Sequence, residues 1–337
     1  MKSKYLKIII LIITSILLIF IFFIINQSKN KLKLNTKRKI QQTLILDKSI
    51  KLDKRLSVMK LYENHLFFVS WTKDNQGKIF RFNLSDNKFE KEINFNKINE
   101  KLLIETYFIE NDSIIYYNQL NNSMVFSDFD AKKIKEVIYP KRFSRLMKFG
   151  DNVLFSGWDK NYNIFFENYS VKSKKIQPNK FEDNYFLKYE NSGISLDGFY
   201  YRNDNHVIML PYAINRVYTF DKNLKYNGKI DLIYGELDFK FRKSEKEDLF
   251  IDPSNLNPNI AGYIDDNDKL YILTDHSTKW DKSNKCFIDI YNLNTKKYEK
   301  SLKIDDYNNS KPRFIAIDNS NNKLYVLFDE NLNSYKL

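Results

Sequence analysis

The chain has 337 residues, of which 43% are apolar and 16% aromatic, enough to bury a sizeable core. Its formal net charge of +13 would suit a nucleic-acid partner, but nine basic residues and no acid fall within residues 1–40, leaving 46 basic against 42 acidic residues elsewhere. Nucleic-acid binders concentrate charge on one face of a domain, so that class is set aside. The single cysteine, Cys286, excludes an intrachain disulfide.

Residues 1–7 form a short basic N-terminus with Lys2, Lys4 and Lys7. Residues 8–25 carry no charge, and Thr14 and Ser15 are the only polar members. As a helix, a run of that length would rise about 27 Å, enough for a bilayer core. A cleaved signal peptide has a shorter apolar region, ending in a small-x-small site. Here Ile24-Ile25-Asn26-Gln27-Ser28-Lys29 follows instead, so the segment is read as an uncleaved single-pass anchor. Long domains after such an anchor cross largely regardless of charge. The remainder is therefore expected outside the cytoplasm, at the cell membrane, with residues 26–41 as a basic linker and 42–337 as the folded domain.

Beyond the linker the sequence repeats. Six apolar segments each follow an Asn/Asp-rich turn: Leu66–Trp71, Ile114–Tyr117, Val153–Trp158, Val207–Leu210, Leu270–Leu273 and Leu324–Leu327. Their starts lie 48, 39, 54, 63 and 54 residues apart, the spacing of four-stranded antiparallel blades. Second hairpins follow, as where Ile79–Phe82 turns through Ser85-Asp86-Asn87-Lys88. With only eight glycines in the chain, Asn and Asp must form most of the turns; their short side chains tolerate the left-handed region.

The ends are complementary. After Leu324–Phe328 only one short strand remains, while an orphan strand lies near Thr43–Ile50. That N-terminal strand is expected to complete the last blade and close the ring. The fold class is thus all-β, a six-bladed β-propeller closed by an N-terminal strand and preceded by one transmembrane helix. Two units, Ile260–Ile272 and Phe314–Val326, run as apolar strand, Asp, polar turn, Leu-Tyr-Ile/Val. They resemble blades of the bacterial NHL and TolB-like six-bladed propellers. The resemblance implies fold rather than function, because this scaffold hosts both binders and enzymes.

Calling the strands of a blade a to d from the axis outwards, propeller ligands commonly meet the face that carries the b–c loops and d–a connections. All three tryptophans fall in or at b–c loops, in Trp71-Thr72-Lys73-Asp74, Trp158-Asp159-Lys160-Asn161 and Trp280-Asp281-Lys282-Ser283. Tryptophan is enriched at binding hot spots, although a repeated packing residue would produce the same pattern. The candidate binding residues are Trp71, Lys73, Trp158, Asp159, Lys160, Tyr212, Asp275, His276 and Trp280. A stretch between Ile233 and Ile260, with the charged run Lys240–Asp248, is long enough to be a lid, a partner-binding arm or a tolerated insertion.

Catalytic signals are sparse. His65 and His206 belong to a–b turns on the opposite face, and only His276 lies with the b–c loops. No nucleophile elbow, P-loop or dinucleotide fingerprint occurs, so no catalytic residue, metal or cofactor is assigned. Cys286 sits in an apolar strand, a setting that disfavours the thiolate. The expected function is non-catalytic binding of an envelope protein or small ligand by a membrane-anchored propeller. The alternative is a metal-dependent propeller hydrolase or lactonase acting at the central channel.

Overall fold

In the computed structural model, residues 13–24, 38–70, 72, 76–96, 102, 104, 106–118, 121–139, 143–158, 164–180, 183, 197–234, 241–243, 249–251, 259–275, 286–305, 307–308 and 310–337 are described. Residues 13–24 are helical. Among the described residues no helix is long and apolar enough to cross a membrane, and the rest of the apolar run lies outside them.

Two strands precede the repeats, β1 (Ile40–Thr43) and β2 (Leu46–Lys51). Blade 1 comprises β3 (Ser57–Tyr62), β4 (His65–Val69), β5 (Lys78–Asn83) and β6 (Lys88–Asn94). Blade 2 comprises β7 (Tyr107–Glu110), β8 (Ser113–Asn118), β9 (Ser123–Ser127) and β10 (Lys133–Ile138). Blade 3 comprises β11 (Arg145–Phe149), β12 (Asn152–Trp158), β13 (Ile164–Ser170) and β14 (Lys175–Pro178). Blade 4 comprises β15 (Gly198–Arg202), β16 (Val207–Pro211), β17 (Arg216–Phe220) and β18 (Tyr226–Asp231). A small hairpin, β19 (Phe241–Lys243) with β20 (Leu249–Ile251), occupies the long stretch before blade 5. Blade 5 comprises β21 (Asn259–Ile264), β22 (Lys269–Asp275), β23 (Cys286–Asn292) and β24 (Lys297–Ile304). Blade 6 has β25 (Phe314–Asp318), β26 (Lys323–Leu327) and β27 (Asn331–Lys336).

The six segments recognised in the sequence are the second strands of the six blades. They are the most apolar strands because both faces of each are covered by neighbouring blades. Phe67 and Phe68, adjacent in β4, are 1% and 0% exposed and belong to different clusters. Burying each such side chain contributes roughly 2–3 kcal/mol. Shared clusters join blades 1 with 2, 2 with 3 and 4, 4 with 5, 5 with 6, and 6 with 1, so the ring closes.

Turns follow the expected chemistry. Asn87, Asn111, Asp112, Asn122, Asp268 and Asn322 hold φ between +48° and +59°, the region their side chains tolerate best after glycine.

The N-terminal strand closes the ring as the complementary ends required, with β2 antiparallel to β27 as the outer strand of blade 6. The orphan segment is not one strand, however. Leu44 turns into the core between blades 5 and 6, while Ile45 points outwards at 82% exposure. This break frees β1 to add a fifth strand to blade 5, parallel to β24. The folded domain therefore begins before residue 42, because Arg38 and Lys39 already contact blade 5: the Lys39 carbonyl accepts from Ser301 N–H at 2.9 Å.

Candidate functional site: the central channel

The described part of the b–c face brings together few of the residues marked in the sequence. Trp71, Lys73, Asp159, Lys160, His276 and Trp280 lie outside the described residues, and Trp158 is placed only by its backbone, opposite Ile164. Asp275 ends β22 and is ion-paired with Lys311 at 2.7 Å. Tyr212 sits on blade 4, its ring edge-on to Phe199 at 5.2 Å, its N–H donating to the Asp197 carbonyl at 3.0 Å. Asp275 and Tyr212 thus occupy different blades, each engaged locally. His65 and His206 lie, as expected, on the opposite face, beside Glu90 and Asp268.

The inner strands carry a different constellation. Each blade's first strand faces the axis, and in four consecutive blades that strand holds a charge: Lys60 in β3, Glu110 in β7, Arg145 and Lys148 in β11, and Arg202 in β15. Near the b–c face, Arg145 pairs with Asp197 at 3.1 Å and donates through Nε to the Gly198 carbonyl at 3.1 Å. Its guanidinium also lies 6.0 Å from the Phe199 ring. Phe199 in turn meets Phe314 of blade 6 at 6.1 Å, and these rings narrow the channel. The crevice lined by Lys60, Tyr107, Arg145, Phe199 and Tyr200 has a volume of about 10 Å³, room for one water.

Towards the a–b turns the charges cluster. Lys148 donates to both Glu110 oxygens, at 3.2 and 2.9 Å, and Arg202 approaches Oε2 at 3.4 Å. Arg202 Nη1 also donates to the Lys148 carbonyl at 2.9 Å, lacing blades 2, 3 and 4 together. Lys60 is different. Its ammonium lies over the Tyr201 ring, 5.1 Å from the centroid, and no acid among the described residues is paired with it. Burial, together with the neighbouring Arg202 charge, lowers its pKa to about 8.

Local backbone features support this placement. The β3–β4 register slips between Ser57 and Lys60, with Val58 at φ +46°, a genuine outlier for a β-branched residue. Bulges of this kind re-aim side chains beside functional sites. The buried Tyr107 hydroxyl lies 2.8 and 2.7 Å from the Val58 and Phe67 carbonyls and shares its one proton between them, holding the bulge. Across the channel, Gly262 leaves room for the Tyr201 ring: a Cβ there would stand 3.0 Å from Tyr201 Cε2 and 3.2 Å from Leu210 Cδ2.

Among the described residues no group of three or more His, Cys, Asp or Glu side chains is arranged to hold a metal ion. Cys286 is fully buried.

None of the channel charges was among the sequence candidates. A signal for them exists: Lys60, Glu110, Lys148 and Arg202 interrupt the otherwise apolar or aromatic stretches Val58–Tyr62, Tyr107–Glu110, Leu146–Phe149 and Phe199–Arg202. Their convergence depends on ring closure, which no single repeat displays.

No family model matches the chain, and a search of curated proteins finds no match. Solved structures do resemble it. A catalytically inactive virginiamycin B lyase from Staphylococcus aureus, solved with quinupristin, is 13% identical with a TM-score of 0.50, over 86% of this chain and 98% of that one. A streptogramin B lyase is 11% identical with a TM-score of 0.50, over 86% and 97%. The Cps50 (Swd1) β-propeller domain of Myceliophteria thermophila is 8% identical with a TM-score of 0.50, over 87% and 99%. At these identities the likeness is one of fold, and the chain is a six-bladed β-propeller.

Proposed function

We propose that this propeller is a membrane-tethered, non-catalytic binding module of the cell envelope, which presents its ring to a protein or small ligand. The observation that supports this reading most directly is the junction between the N-terminal segment and the ring. Arg38 forms a bidentate pair with Asp289 at 2.9 and 2.7 Å, the Lys39 N–H donates to the Tyr298 hydroxyl at 2.9 Å, and β1 continues the grip along β24. A chain whose first 25 residues include an uncharged apolar run is thus tied to the ring by residue 38. Such a junction suits a domain held close to a surface.

Alkaline extraction of membranes from cells making the full chain tests the tether. The protein should stay in the pellet, and deletion of residues 1–25 should release it. A full-length chain that washes off with carbonate would overturn the tether. The binding role is tested by crosslinking in intact cells. The combined W71A, K73A and W158A variant, still folded by circular dichroism, should lose the crosslinked partner; undiminished capture would move the contact away from the b–c loops.

A further inference from the structure

We propose that the central channel holds an anion-binding site, built from Lys60, Lys148 and Arg202, that accepts a compact oxyanion of the phosphate type presented end-on from the a–b face. The charge inventory comes first. Along the inner strands of blades 1 to 4 and the residue that precedes β15 there are four cations, Lys60, Arg145, Lys148 and Arg202, against two anions, Glu110 and Asp197. Asp197 serves Arg145, and Glu110 is shared between Lys148 and Arg202. Among the described residues of these inner strands two positive charges therefore remain without an acid of their own, which matches a doubly charged oxyanion.

The acids at the same end of blades 5 and 6 are committed elsewhere. Asp265 accepts the N–H groups of Asn267 and Lys269 at 2.9 and 2.8 Å and the Tyr271 hydroxyl at 3.1 Å. Asp318 accepts from Ser320 and Asn321 in its own turn. Both tie down turns rather than neutralise the channel.

An ammonium in a narrow, aromatic-walled channel is costly unless paired. A bulge with a strained Val58 directly precedes Lys60, and strain of this kind persists only where the surroundings enforce it. The Tyr201 face offers partial compensation, as a cation over an aromatic ring does. An oxyanion would complete it.

Size and access set the class of ligand. The crevice beside Lys60 admits about one water-sized group, so a single oxygen can approach its ammonium. That crevice is walled by Tyr107, Arg145 and Phe199; the rest of the group would extend to Arg202, whose charge already acts on Lys60, and to Lys148, the two being 20% and 14% exposed. Arg202 supplies a planar fork suited to phosphate oxygens, and the lysines act as point charges.

The test uses the full-length protein in detergent and titrates inorganic phosphate by calorimetry at constant ionic strength, near pH 7. Lys60→Met keeps the apolar stem over Tyr201 and removes the charge; Lys60→Arg keeps the charge. Wild type and Lys60→Arg should bind phosphate, and Lys60→Met at least about tenfold more weakly. A parallel arm uses sedimentation with phosphatidylcholine vesicles with or without phosphatidic acid. Loss of phosphatidic-acid-dependent binding in Lys60→Met would identify a lipid headgroup as the source, whereas binding of free phosphate alone would identify a soluble one. Binding of neither, or equal binding by wild type and Lys60→Met, overturns the site. Should Lys60→Met fail to fold, Arg202→Gln is carried through the same titrations with the same criteria. Membrane extraction should be unchanged in these variants, whose substitutions lie outside residues 1–25, so failure of the anion site and failure of the tether are told apart.

Discussion

Arg38 and Asp289, 251 residues apart, form a bidentate ion pair whose side chains are 6% and 0% exposed. Asp289 also accepts from Ser301 at 2.5 Å, and the Arg38 guanidinium lies 4.5 Å from the Phe287 ring. A carboxylate this deeply buried is tolerated because it is fully engaged, and its principal partner arrives from outside the repeats.

Removing one member of a buried pair leaves the other uncompensated and typically costs about 3–5 kcal/mol. Arg38→Met should therefore destabilise the ring by roughly that amount in urea unfolding. The double variant Arg38→Met with Asp289→Leu should lose clearly less than the sum of the single losses, because no orphaned charge remains. Additive losses in this cycle would show that the pair is not coupled.

Lys60 predicts a pH dependence of definite sign. Its folded pKa of about 8 lies below the ordinary 10.5, so between those values the unfolded chain holds the extra proton. Stability attributable to this group therefore rises with pH across that window. Below pH 8 the penalty is fully present. In phosphate-free buffer, Lys60→Met should exceed wild type in stability at pH 7 by about 1–3 kcal/mol, the gap closing towards pH 10. Thermal unfolding of both proteins across pH 7 to 10 measures this. Above pH 10 both should weaken, because burial raises the pKa of Tyr107, Tyr200 and Tyr201.

Gly198 opens the inner strand of blade 4 where backbones approach closely. A Cβ there would sit 2.1 Å from the Leu210 carbonyl oxygen and 2.6 Å from Pro211 Cα, and neither can swing aside. Gly198→Ala should cost about 3 kcal/mol and disturb the Arg145 bond to the Gly198 carbonyl. Denaturant unfolding reads the loss; a wild-type midpoint would show that the β15–β16 pair relaxes freely.

Asp318 predicts acid sensitivity. Burial opposes its ionisation, but hydrogen bonds from the Ser320 and Asn321 side chains and backbone outweigh that effect and lower its pKa. A depressed carboxylate contributes stability above its unfolded pKa, near 3.8, and loses it as pH falls further. Asp318→Ala should cost about 1 kcal/mol at pH 7 and flatten the decline below pH 4. Urea midpoints at pH 7 and pH 3 test both parts.

The architecture was largely legible because a blade announces itself locally. Segments such as Leu270–Leu273 are apolar on both faces, so period-two alternation gives way to a continuous run, and an Asn/Asp turn must precede each one. The complementary ends, with Thr43–Ile50 at one and Ser334–Leu337 at the other, made closure readable as well. The channel was not legible. Lys60 or Glu110, taken singly in sequence, is only one charge in an apolar strand, and its meaning comes from partners on other blades.

By itself, then, the sequence determined the number of blades, the turn chemistry and the need for an N-terminal strand, all of which follow from short-range patterns of apolar and turn-forming residues. Tertiary structure alone decided the rest. Leu44 turns inwards and splits the orphan segment into β1 and β2, because the blade 5 and 6 core accepts it there. Arg38 is drawn into the ring by a buried carboxylate on β23. Lys60 is brought over Tyr201 because ring closure sets blade 1 across the axis from blade 4. Charges are long-range and few, and their energies depend on which neighbours burial supplies. That is settled only when the ring is complete.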